Sequence, residues 1–162
     1  ITIKAVKTVE AEEAFEEFGN MLYRVGVVML RSRYDAEDAV QDTLIKYMEH
    51  RKEFQSKEHI KAWLLRVNIN ICKNKLRFYQ RHPLIPLEQL GMTCKNEADH
   101  ALMEALMKLP AVYKEVFLLY YVEGYKIGEI TEILKISESA VKKRLERGRE
   151  KLNELLGGHE NG

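Results

Sequence analysis

The sequence predicts an all-α protein of two small helical domains, a fold class that rests on three observations. Apolar residues recur at spacings of three and four rather than in alternation. Helix-breaking punctuation is sparse, with only three prolines in 162 residues. Two of them, Pro83 and Pro86, fall in PLIPLEQLGMTCKNEA, Pro83 to Ala98, a stretch that also carries Gly91 and holds no sustained helical period. It reads as a linker between an N-terminal domain, 1–82, and a C-terminal domain, 99–162. Each half is small for independent folding, but well-patterned helical domains of this size do fold.

In the N-terminal half the apolar period places helices near 9–31, 35–52 and 59–81. The second, in YDAEDAVQDTLIKYMEHR, is expected to take Asp35 as its N-cap and Val40, Leu44, Tyr47 and Met48 as its core stripe. Its other face carries Asp38, Gln41 and Asp42, which can dock on a basic protein element or stand merely solvated near a helix N-terminus. The third, in HIKAWLLRVNINICKNKLRFYQRH, holds six lysines and arginines and no acidic residue. A one-signed run of this kind invites a polyanion. At roughly 100° per residue, Ile60, Leu64, Val67, Ile71 and Phe78 share the expected core arc, while His59, Trp63, Arg66, Asn70, Lys73 and Arg77 form a separate stripe. Cations to follow a backbone, an amide for base edges and an aromatic for stacking suit unpaired DNA. Trp63 read alone is as well explained by packing.

In the C-terminal half, Pro110 at a first helical position and Gly124 just past the end frame a helix through AVYKEVFLLYYVE. Ile127, Ile130, Ile133 and Leu134 then mark one buried face, which Lys135, Ile136 and Ser137 interrupt. The Ser137 hydroxyl is placed to cap a new helix, with Glu138 in its first turn suiting the dipole. Val141, Leu145, Leu152 and Leu155 are expected to point inward, leaving a net positive outer face. Two short helices joined by a tight turn, the second basic, is the form of a major-groove reader, against the plainer alternative of a charged helix in an ordinary bundle. On that reading Glu138, Ser139, Lys142 and Lys143 meet base edges, and Arg144 and Arg147 neutralise phosphate.

Composition fits a folded, water-soluble chain: 46% apolar and 31% charged residues. With 26 Lys plus Arg against 25 Asp plus Glu, the formal +1 neither predicts nor excludes a polyanionic partner, so the distribution of charge decides. Cys72 and Cys94 lack CxxC spacing, which argues against a zinc site or disulfide framework and for a reducing cytoplasm. No apolar run approaches the roughly 20 residues of a membrane span, and no membrane insertion is expected. There is no nucleophile with a base at meaningful spacing and no phosphate-cradling glycine loop, and the five histidines are scattered. An enzyme is therefore disfavoured, and no cofactor, metal or small-molecule substrate is expected.

Taken together, the pieces resemble the sigma-70 family, specifically its two-domain extracytoplasmic-function (ECF) group. DAEDAVQDTLIKYMEHR resembles the family's core-polymerase-binding segment, AWLLRVNINICKNKLR its promoter-melting helix, and LPAVYKEVFLLYYVEGYKIGEITEILKISESAVKKRLERGREKL its DNA-binding C-terminal domain. The resemblance implies that Asp38, Gln41 and Asp42 contact the clamp helices of the polymerase's largest subunit. It also implies that the loop around Gln55, Ser56, Lys57 and Glu58 holds a base flipped from the minus-ten element, that α-helical residues beyond Ser137 read the minus-35 element, and that an anti-sigma protein restrains the chain. Lys135 stands where the family often has glycine, and Thr131 where it often has alanine. Two rival readings predict other behaviour: an autonomous helix-turn-helix regulator would bind specific DNA without polymerase, and a small nuclease would cleave DNA in the presence of metal.

Overall fold

In a computed structural model of the chain, residues 2–50, 53–78 and 96–157 are described, with side chains from residue 11 onward. They are mostly helical, and no strand occurs among them. The chain divides into two compact units, Ile1–His82 and Pro83–Gly162.

The first unit packs α1 (Thr2–Leu30), α2 (Arg33–Glu49) and α3 (Lys57–Phe78) against one another. Leu22, Val25, Val28, Ala36, Ala39, Tyr47, Leu64, Leu65 and Ile69 are fully or nearly fully buried at their meeting. The α1–α2 corner turns on Arg31, whose φ of 51° is left-handed, followed by Ser32. Ser32, rather than Asp35, is the N-cap of α2: its hydroxyl accepts from the Asp35 N–H at 3.2 Å. The N-cap of the helix thus falls three residues earlier than expected. Asp35 falls in its first turn, where a carboxylate still suits the helix dipole.

A polar peg crosses this core. Asn68 is fully buried on α3, and its Nδ2 donates to the Leu22 carbonyl of α1 at 3.1 Å. Its Oδ1 lies 3.2 Å from the Thr43 hydroxyl of α2, which also reaches the Ala39 carbonyl at 2.7 Å. One amide therefore links all three helices, and its burial is tolerable because both ends are partnered. Asn68 also lies within a buried arc of α3 that differs from the expected one. The buried residues are Ile60, Leu64, Leu65, Asn68, Ile69, Ile71 and Cys72, an arc rotated by roughly 75° from the expected one. Phe78, expected in the core, is 87% exposed at the last position of the helix. On α2 the inward arc is Ala36, Ala39, Val40, Thr43 and Tyr47, which turns Met48 outward to 66% exposure. In both helices small or polar residues share the buried arc with large apolar ones.

The second unit comprises α4 (Glu97–Lys108), α5 (Ala111–Phe117), a π-helical turn (Leu118–Val122), α6 (Ile127–Leu134) and α7 (Glu138–Gly157). Asn96 caps α4 by accepting from Asp99 N–H at 2.9 Å, and Pro110 precedes the first residue of α5. Gly124 takes φ 75° just beyond the π turn, a conformation in which a side chain would be strained. Lys135 ends α6 at φ 57°, and Ser137 caps α7 by accepting from Ala140 N–H at 3.1 Å. α7 packs on α4, α5 and α6 through Val141, Leu145 and Gly148. Leu152, expected inward, is half-buried and Leu155 is 36% exposed, so the second half of α7 leaves the core. Within the linker, residues 83–95 lie outside the described residues, as does Cys94.

Candidate docking and nucleic-acid surfaces

The outer face of α2 is opposite its buried arc. Gln41 is exposed, and the Asp38 and Asp42 side chains are 42% and 45% exposed. Neither carboxylate stands alone. Lys75, reaching across from α3 with its side chain only 13% exposed, forms a close ion pair with Asp38 and lies 4.0 Å from Asp42. Ile45 and Met48, at 52% and 66% exposure, continue the Gln41 face one and two turns on. The sequence reading missed Ile45 and placed Met48 inside. The signal was available in Ala36, Ala39 and Thr43, whose small side chains define the inward arc.

The segment before α3 rests on a ring cluster. Phe54 stacks on Tyr47 with centroids 5.4 Å apart and on His50 at 4.8 Å, and meets Trp63 and His59 edge-on at 5.6 and 5.2 Å. Trp63 also lies against His50 at 4.8 Å and Tyr47 at 6.0 Å. Trp63 is therefore chiefly a packing residue that supports the loop. Gln55, Ser56 and Lys57 are exposed above it. Ser56 Oγ accepts from His59 N–H at 3.1 Å, and His59 Nδ1 accepts from Gln55 N–H at 3.3 Å, so the loop is tied to the first turn of α3 from both sides. Lys57 pairs with Glu17 of α1 at 3.5 Å, an exposed contact of small energetic weight.

Along α3 the reoriented core arc has a useful consequence. Arg66, Asn70, Lys73 and Arg77 now lie about 180° from the centre of the buried arc, given 100° per residue. Asn70 and Arg77 are exposed and Arg66 and Lys73 half-buried. The outer side of the helix is thus a ridge of three cations and an amide.

On α7, Glu138, Ser139, Lys142, Lys143 and Arg147 are exposed, with Lys142 paired to Glu138 one turn back at 3.2 Å. Arg144 is placed differently. Its Nη1 donates to Glu115 Oε1 at 3.1 Å, and Glu115 is 1% exposed on α5. Expected at a phosphate, Arg144 is engaged with the interior, where it fixes the rotation of α7 about its axis. Two further ties do the same. An ideal Cβ on Gly148 would lie 2.4 Å from Phe117 Cε2, so α7 approaches α5 as closely as only glycine allows, and Arg149 donates to Tyr121 Oη at 2.8 Å. Neither Glu115 nor Gly148 was singled out from sequence. An acidic residue in an apolar run and a glycine in a charged helix were the signals.

Comparison with known proteins matches residues 14–82 to the family model described as Sigma-70 region 2 and residues 99–152 to that of Sigma-70, region 4. The chain is 30% identical to the ECF RNA polymerase sigma factor SigM of Mycobacterium tuberculosis, over 90% of this chain and 76% of that protein. It is 28% identical to the ECF RNA polymerase sigma factor SigW of Bacillus subtilis, over 95% and 94% of the two chains. Among solved structures, the sigma factor RpoE from Bartonella quintana, in complex with the anti-sigma factor NepR, shares the fold at a TM-score of 0.69 and 23% identity, covering 90% of this chain and 95% of that one. CnrH, solved with the cytosolic domain of CnrY, does so at 0.67 and 22%, covering 98% and 99%. With a region 2 unit carrying the acidic α2 and cationic α3, and a region 4 unit carrying the helix-turn-helix, the chain belongs to the sigma-70 family of RNA polymerase sigma factors, in its ECF group.

Proposed function

We propose that the chain binds core RNA polymerase through the α2 face of Asp38, Gln41 and Asp42, and that both its units contact promoter DNA during transcription initiation. Residues 1–82 act as one domain on the minus-ten element, the segment from Pro83 links up to the Asn96 cap of α4, two residues short of the Ala98 expected from sequence, and the residues beyond act as a second domain on the minus-35 element. In the first domain, Gln55, Ser56 and Lys57 border the pocket for an unstacked base. Arg66, Asn70, Lys73 and Arg77 follow the separated strand, with Trp63 underneath as support. In the second, Glu138, Ser139, Lys142 and Lys143 face base edges and Arg147 a phosphate, while Arg144 positions the helix through Glu115.

The observation that carries this reading is the α3 ridge, set opposite a core face pinned by Asn68. Such a ridge stays presented whether or not DNA is bound, so little ordering cost falls on the melting step. Favourable contacts to phosphate and to extruded bases then offset an opening cost of a few kcal/mol per base. The reading requires no covalent step, cofactor or small-molecule substrate, and it places the chain in the cytoplasm with polymerase and DNA. No helix among the described residues is long and apolar enough to cross a membrane. By likeness to the RpoE–NepR and CnrH–CnrY complexes, an anti-sigma protein holds this chain in check.

Run-off transcription with purified core polymerase and a promoter library tests the proposal. Selective transcripts that depend on the added chain are expected. Specific duplex binding without polymerase, and no transcript with it, would favour an autonomous regulator instead.

A further inference from the structure

The cations of α3 divide into two groups. Arg66, Lys73 and Arg77 lie on the outer ridge. Lys75 follows Asn68, Ile71 and Cys72 on the inward side, so its stem is packed and its ammonium emerges against α2 rather than toward solvent. There it meets the two carboxylates assigned to polymerase, in close ion pairing with Asp38 and 4.0 Å from Asp42. Both acids retain more than two-fifths of their side-chain exposure, so an incoming partner can still reach them.

We propose that Lys75 is an internal occupant of the docking carboxylates and thereby sets how tightly and how fast the chain takes core polymerase. The inference rests on the docking assignment of Asp38 and Asp42. With Lys75 in place the pair presents a net charge of about −1 rather than −2 to an approaching basic surface, which weakens electrostatic steering. At contact, a partner cation that takes the same oxygens must either displace the ammonium or lie within a few ångströms of it. Displacement has room. An open cleft of about 490 Å³, lined by Asp42, Ile71, Asn74, Lys75 and Phe78, adjoins the ammonium along α3. The lysine side chain, with its flexible four-carbon stem, can swing into that cleft while α3 stays fixed. Lys75 thus exchanges its carboxylates for solvent as the polymerase arrives, and affinity is the difference between the two pairings.

The test is a kinetic binding titration of the full chain on purified core polymerase, comparing wild type with Lys75→Met, Lys75→Gln, Lys75→Arg and Asp38→Asn/Asp42→Asn at several salt concentrations. Lys75→Met and Lys75→Gln are expected to associate roughly three- to tenfold faster and to lose affinity more steeply with salt, since the acidic pair is then uncompensated. Lys75→Arg should behave as wild type. Gln retains a hydrogen bond to Asp38, and carries the test if Met abolishes cooperative melting. Wild-type or weaker binding by the Met and Gln variants, with the double Asn variant impaired, would overturn the proposal and leave the docking assignment standing. Undiminished binding by the double Asn variant would overturn both.

Discussion

Arg144 of the helix-turn-helix donates to Glu115, a carboxylate 1% exposed in the preceding helix pair, at 3.1 Å. The contact links a residue on a DNA-facing helix to the interior that orients it. Removing the arginine leaves a buried carboxylate short of a cation, and removing the acid leaves a half-buried guanidinium turned inward. Each single change, Arg144→Met or Glu115→Gln, is expected to cost about 2 kcal/mol, with a double-mutant coupling above about 1 kcal/mol in denaturant titrations of the chain. Additive costs would mean that the pair is incidental.

Gly148→Ala places a methyl group against Phe117, which is buried and cannot swing away freely. A cost of about 1–3 kcal/mol is expected, despite alanine's better helix propensity, together with weaker duplex binding as α7 is pushed off α5. Adding Phe117→Leu should recover part of both. A stabilised Gly148→Ala variant would contradict so close an approach of α7 to α5.

Two positions in the helix-turn-helix offer gains. Lys135 holds φ 57°, and Lys126 precedes α6 without an oxygen for its N-terminal amides, although Glu129 Oε1 accepts from the Lys126 N–H at 3.0 Å. Lys135→Gly and Lys126→Ser are each expected to stabilise the unit by about 0.5–1 kcal/mol. Thermal melts read the gain directly, and a lowered midpoint for Lys135→Gly would contradict the left-handed turn.

Arg66→Ala, Lys73→Ala and Arg77→Ala are expected to shorten the lifetime of the open promoter complex. Each should reduce the salt slope of its formation by about 0.7 to 1 per lost phosphate contact. Core polymerase affinity should be unchanged, because these side chains lie on the side of α3 away from its packing. A loss of core binding equal to the loss of opening would assign the ridge to protein contact instead.

Much of this was legible in the order of residues. The division after His82, the Ser137 cap and the cationic stripe of α3 each follow from local chemistry within a few positions, which a sequence displays. What it displayed poorly was rotation about a helix axis. Hydrophobic size pointed to Phe78 and Met48, whereas the buried arcs take in Asn68, Ala36 and Thr43, small or mutually hydrogen-bonded side chains that a count of apolar residues passes over. Pairings distant in sequence were also hidden. Arg144 looked like a surface cation until Glu115, and Asp38 like a free carboxylate until Lys75, were brought alongside by the fold. Trp63 was balanced between stacking and packing, and the proximity of Tyr47, His50 and Phe54 shows the packing contacts that sequence could not.

On the proposed function, promoter opening depends on the ridge of α3 holding DNA strands apart while α2 holds the enzyme. Permanganate footprinting of a promoter chosen from the run-off library, with core polymerase and either wild type or Arg66→Ala/Asn70→Ala/Arg77→Ala, reads that step directly. Wild type is expected to render thymines of the minus-ten region reactive, and the triple variant to bind core and promoter yet leave them protected. Equal reactivity with both proteins would contradict the role given to the ridge.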